Sequence, residues 1–173
     1  MKTFIALTFI GILTYAYAAT TGISECKTVT PMEGFTSTKF FTGTWYVSHV
    51  EKVTSPTVCQ TFTTKDESGT LIVEYSFNKD GQDNKVRCEG QRGTEKKVAF
   101  KCKVNEVPTF DADFIILATN YDDYALFYRC ITFKSGSKND NYLVLRRSAG
   151  DQTIPGSLTS LTSSLGLQSC ANI

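Results

Sequence analysis

The chain has 173 residues, with 18 Lys and Arg against 17 Asp and Glu, one His, one Trp and six Cys. Near charge balance without any charged block leaves no electrostatic grip on nucleic acid or on an anionic membrane. A single His and no Cys-x-x-Cys pair argue against a structural zinc site, and no metal ligand set is expected.

Residues 1–18 are expected to be a secretion leader. Lys2 gives a positive start, Phe4 to Leu13 an apolar run too short to span a bilayer, and Ala16-Tyr17-Ala18 a small-x-small cleavage pattern. Residues 19–173 then form one domain in an oxidising compartment, where six cysteines imply three disulfides of open connectivity. No Asn-x-Ser/Thr sequon occurs. Residues 19–39, rich in Thr, Ser and Gly, are expected to cross the surface, tied down by Cys26.

The organising stretch is Phe40 to Val50, which holds the only Trp and the only His. Gly43 permits a close backbone approach, and alternation from there puts Trp45, Val47 and His49 on one face. A large ring just after Gly at a strand start suits the floor of a small β-barrel. Further strands are read at Val58 to Thr64, Thr70 to Asn78, Lys85 to Cys88, Lys97 to Val104, Asp113 to Thr119, Tyr124 to Phe133 and Tyr142 to Arg147. Asp66 to Gly69, Lys79-Asp80-Gly81, Gly90 to Thr94, Asn120 to Asp123 and Ser135 to Asp140 read as turns. About eight short strands predict an all-β, eight-stranded antiparallel barrel or sandwich. Ile154, Leu158, Leu161 and Leu165 recur at helical spacing between Pro155 and Gly166, predicting one C-terminal α-helix packed outside.

Three separated motifs then align with one family. Phe40-Phe41-x-Gly43-x-Trp45-Tyr46 resembles the first lipocalin signature. Thr119 to Ala125 resembles the second, and Tyr142-Leu143-Val144-Leu145-Arg146-Arg147 the third, whose Arg lies on the floor Trp. Arg147 shares a face with Leu143 and Leu145, so it is assigned that role over Arg146. The Trp-Tyr-Val-Ser-His run, the Tyr-Arg-Cys-Ile strand and the six cysteines are similar to the salivary lipocalins of blood-feeding triatomine bugs, the triabin/pallidipin/triplatin group. The resemblance implies the pairs Cys26–Cys130, Cys59–Cys170 and Cys88–Cys102. It also implies a strand order permuted near the start and a monomer secreted in saliva. Its activities are expected to be capture of thromboxane A2 or other eicosanoids, ADP or biogenic amines, carriage of nitric oxide on haem, or inhibition of thrombin.

The residues narrow these options. A lone His without a nucleophile near it, and cysteines committed to disulfides, argue against an enzyme. The resemblance puts the haem-ligand position at Ser76, a poor iron ligand, so no cofactor is expected. Thrombin inhibition in this group uses an acidic surface that a neutral chain lacks, and stays an alternative. An amine binder would want carboxylates at the mouth, where Asp111 and Asp113 are candidates. The leading expectation is sequestration of a small lipophilic host mediator, most of all thromboxane A2, blocking platelet aggregation. Arg129 would meet its carboxylate beside Phe127 and Ile131, with His49, Tyr75 and Phe77 as further wall residues. Otherwise Arg129 faces the surface or pairs with Asp113.

Overall fold

A computed structural model describes residues 22–92 and 96–173. The leader expected over 1–18 and the tip of the loop expected near Glu95 lie outside the described residues. Eight antiparallel strands form the wall: β1 (Gly43–Val50), β2 (Thr61–Glu67), β3 (Thr70–Lys79), β4 (Gln82–Gln91), β5 (Val98–Val104), β6 (Val107–Thr119), β7 (Tyr124–Phe133) and β8 (Lys138–Arg146). Each strand pairs with the next in the chain, and β1 pairs with both β8 and β2 to close the barrel. The order is therefore sequential, correcting the implied permutation. Closure removes every long free edge.

Period-two alternation places Leu71, Val73, Phe100, Phe114, Ala125, Phe127, Leu143 and Leu145 in one buried core. Tight two-residue turns join β2 to β3, β3 to β4 and β5 to β6. Asp80-Gly81 has two positive φ angles, as its sequence suggests, and so does Asn105-Glu106, a turn that the sequence pattern does not predict. The Asn105-Glu106 turn is why β6 begins at Val107, six residues before the expected Asp113.

The apolar run of β6 and β7 is buried on both faces. Leu126, Val144, Leu117 and Ala118 point outward and are covered by Ile154, Leu158, Leu165 and Leu167 of the tail. The tail itself departs from expectation in extent. A 3-10 turn (Gly156–Leu158) leads into a single α-helical turn, α2 (Thr159–Thr162), and Leu161 is exposed. The Ser- and Thr-rich stretch has low helix propensity, and Gly166 at φ 61° ends it. Beyond it a two-residue strand, β9 (Gln168–Ser169), pairs with His49 and Val50 of β1.

Residues 19–39 do not all stay on the surface. Met32 hydrogen-bonds the outer edge of β6, but Phe35 is buried, and α1 (Ser37–Phe40) carries Phe40 beneath the barrel. The disulfides are Cys26–Cys130, Cys59–Cys170 and Cys88–Cys102. The last joins directly opposed residues of β4 and β5.

Candidate functional site

One end of the barrel is a sealed floor. Gly43 turns there at φ 77°, a conformation that L side chains rarely adopt, and delivers Trp45 into the lumen with no residual exposure. The Arg147 guanidinium carbon lies 3.5 Å from the centroid of the indole. Its nitrogens donate to the carbonyls of Tyr121, Thr42 and Thr44 at 2.7–3.0 Å, and to that of Phe40 at 3.4 Å. Phe40 stacks on the indole, and the Trp45 ring nitrogen donates to the Phe40 carbonyl. Arg146 points outward to Asp123 and Asp151. Above the floor, Phe41, Phe62, Phe114 and Phe127 pack around a cavity of only about 10 Å³, and Phe100 is buried beside Phe41 and Phe114.

The other end is open. The loop from Glu51 to Gln60 arches over it, held by Cys59–Cys170 and by a two-way amide clasp. In that clasp Lys52 N–H donates to Asn141 Oδ1 and Asn141 Nδ2 donates to the Lys52 carbonyl. Because β2 pairs with β3 only from Thr63 onward, the last residues of β3 stand apart from the loop. A groove of about 840 Å³ occupies that gap, lined by Gln60, Tyr75, Phe77, Glu74, Arg87 and Lys103 among others. A second cavity of about 210 Å³ adjoins it through Gln60 and Tyr75, and is lined by Arg129, Ile131, Phe110 and Phe133.

Arg129 is the chemically unusual residue of this end. It is only 7% exposed, yet among the described residues its guanidinium has neither a hydrogen-bond partner nor a carboxylate within ion-pair distance. Burial pulls its pKa below the ordinary arginine value, partly offset by the Tyr75 phenol. Burial likewise raises the Tyr75 phenol, against the pull of the Arg129 charge. A guanidinium withdrawn this far from bulk water gives up part of its hydration, and a bound anion would return it.

The expected site residues divide. Arg129, Tyr75 and Ile131 share the smaller cavity, Phe77 lines the adjoining groove, and Phe127 lies deeper in the packed lumen. His49 does not join them. A β-bulge between Val47 and His49 shifts the phase of β1, so Val47 and Val50 face the core opposite Leu145 and Leu143. His49 then stands opposite outward-facing Val144, buried outside the barrel, where desolvation and the Arg146 charge lower its pKa. The alternative pairing of Arg129 with Asp113 also fails, because Asp113 faces outward and bonds Lys97 at 3.0 Å. Asp111 sits on the same outer face opposite Lys101, so the two carboxylates do not guard the mouth. Ser76 is exposed on the outer face of β3, opposite Lys85. Gln60 and Phe110 also line this cavity without any signal in the sequence, whereas Phe133 lies on the same inward phase of β7 that alternation assigns to Arg129 and Ile131.

A protein-family model described as Triabin matches residues 18–161. The chain is 36% identical over 173 residues to Procalin of Hospesneotomae protracta, covering 98% of this chain and 99% of that one. It is 44% identical over 153 residues to Triabin of Meccus pallidipennis, covering 87% and 94%. Among solved structures, LTBP1 in complex with leukotriene C4 superposes with a TM-score of 0.64 at 28% identity, covering 81% of this chain and 88% of that one. The tryptamine complex of the amine binding protein of Rhodnius prolixus, at 15% identity and a TM-score of 0.63, shares the fold.

Proposed function

The chain belongs to the triabin family of lipocalin-fold proteins, and from that premise we propose that it is a secreted, non-catalytic, monomeric binding protein. It sequesters a small carboxylate-bearing lipid mediator of the host at the barrel mouth, with thromboxane A2 the first candidate, and so blocks platelet aggregation. The observation that carries this reading is Arg129, a buried guanidinium without an anion, set among Ile131, Phe110 and Phe133. A lipid carboxylate supplies the missing charge through two parallel hydrogen bonds, and its chain covers the apolar wall. The relative solved with leukotriene C4 supports the class, since that ligand is itself an acidic eicosanoid. An amine fits less well. The carboxylate lining the Arg129 cavity belongs to Asp140, which already engages Lys52 and Tyr128, and the nearby guanidinium repels a second cation.

One observation favours a second reading, inhibition of thrombin or another coagulation protease through the outer surface. The lumen beneath the mouth is filled with aromatic rings, so the barrel holds no deep lipid chamber. Calorimetric titration with a stable thromboxane mimic and with leukotriene C4, alongside a thrombin clotting time, separates the two. Near 1:1 binding with an unchanged clotting time is the expected result. No eicosanoid binding, with a prolonged clotting time, would move the function to the surface.

A further inference from the structure

We infer that the larger groove is a docking site for an extended peptide strand whose side chains alternate between apolar and acidic. Pairing of β2 with β3 stops at Thr63 and Glu74, whereas β3 continues beside β4 as far as Lys79 and Gln82. Tyr75 to Lys79 therefore form a short free edge of the sheet. The direction of its main-chain groups follows from the neighbouring strand. Lys85 N–H donates to Asn105 Oδ1 and the Lys85 carbonyl accepts from Asn105 N–H, both at 2.9 Å, so the main chain of Lys85 faces the β5 side. Alternation then turns Asn84 and Val86 toward Phe77 and Tyr75, their partners on β3. Ser76 and Asn78, out of phase by one residue, point their N–H and C=O groups into the groove, where no strand pairs with them among the described residues. Across the gap the Gln60 carbonyl accepts from Val47 N–H of β1, so Thr61 likewise turns its main chain to the groove. Both walls thus offer main-chain donors and acceptors to an added strand.

The groove also reaches both faces of the sheet, which a strand lying in the sheet plane requires. Tyr75, Phe77 and Val86 line it on the inner face, and Lys85, Arg87 and Lys103 on the outer face. An added strand sends alternate side chains to those two surfaces. Apolar side chains suit the inner one. On the outer one, Arg87 is engaged by Glu74 and Glu89 at 2.6 and 2.8 Å. Lys85 and Lys103 have no such partner, since no carboxylate among the described residues lies within ion-pair distance of either. Acidic side chains on the outer face of the added strand supply that charge.

Fluorescence anisotropy with a capped, fluorescein-labelled Glu-Val-Glu-Val-Glu peptide tests this. Saturable binding is expected, and Lys-Val-Lys-Val-Lys should bind about tenfold more weakly. N-methylation of the Glu amides or of the Val amides should cost about tenfold in at least one of the two forms, because alternate amides face β3. In the wild-type complex the Ser76 and Asn78 amides should exchange with solvent more slowly. Ser76→Pro removes one donor from the free edge without touching the β3–β4 ladder, a place where proline is tolerated, and should weaken the peptide about tenfold. If that variant folds poorly, the N-methylated peptides make the same comparison on the wild-type protein. No saturable binding, or equal affinity for the methylated and unmethylated peptides, would overturn the inference. A dimer in sedimentation that the peptide disperses would assign the edge to a second copy of the chain instead. The lipid reading of Arg129 is untouched by any of these results.

Discussion

Arg147 and Arg129 are both withdrawn from solvent on neighbouring stretches of chain, one just past β8 and one within β7. Arg147 has an indole beneath it and four backbone carbonyls around it. Arg129 has a cavity. At the floor the Arg147 guanidinium and the Trp45 ring N–H all meet protein carbonyls and the rings surround a cavity of only about 10 Å³, so the folded chain completes itself. At the mouth the Arg129 donors stay unmatched among the described residues, so part of the hydrogen bonding is left for a ligand. A difference of this kind separates a structural buried charge from one held ready for binding.

The largest expected effect probes the floor. Arg147→Ala removes the cover of Trp45 and strands several carbonyls, and should lower stability by about 4 kcal/mol, read by denaturant unfolding. Arg147→Lys should restore only part, because an ammonium cannot lie flat on the indole while reaching the same carbonyls. Full stability in Arg147→Ala would erase the contrast.

Next is the boundary between the two regions. Phe62 packs edge-on to Tyr75 and near Phe127, dividing the filled lumen from the open mouth. Phe62→Ala should cost about 3 kcal/mol in stability. If space limits the site, the same variant should bind long-chain acidic lipids more tightly.

Arg129→Leu should behave oppositely to Arg147→Ala. Stability should hold or rise by about 1 kcal/mol, since an apolar side chain replaces an unpaired buried cation. Affinity for the thromboxane mimic should fall by about 1.5–3 kcal/mol, read by calorimetry. A stability loss instead would mean that the guanidinium is structural after all.

The smallest effect concerns His49, which belongs to neither end. Burial and Arg146 depress its folded pKa below the ordinary 6.5, so the unfolded chain takes up the proton first. Stability is full above about pH 6.5 and declines as the pH falls toward the folded value. His49→Asn should flatten that part of the stability–pH curve without altering lipid binding at neutral pH. Altered binding would return His49 to the cavity.

Much of this division was legible before the fold. Gly43 and Trp45 stand out because the floor needs rare residue types at fixed places, a positive φ and one large ring, and the lipocalin resemblance adds Arg147 as the planar cation on that ring. Alternation along β7 likewise assigns Arg129 to the inner face, since pleat geometry is a local property of the chain. Sequence alone thus determined the strands, most turns and the chemistry of the floor. Tertiary structure decided where the phase breaks. One bulge near Ser48 sends His49 outside, the Asn105-Glu106 turn extends β6, and Asp111 and Asp113 fall on the outer face. It also decided that a Ser- and Thr-rich tail lies as a brief helical turn, because burying Ile154, Leu158 and Leu165 on β7 and β8 does not require a long helix. That Arg129 stands without a partner was invisible in the sequence for the same reason. An unmatched donor is defined by the absence of a partner from every other part of the chain, and only the assembled barrel specifies that.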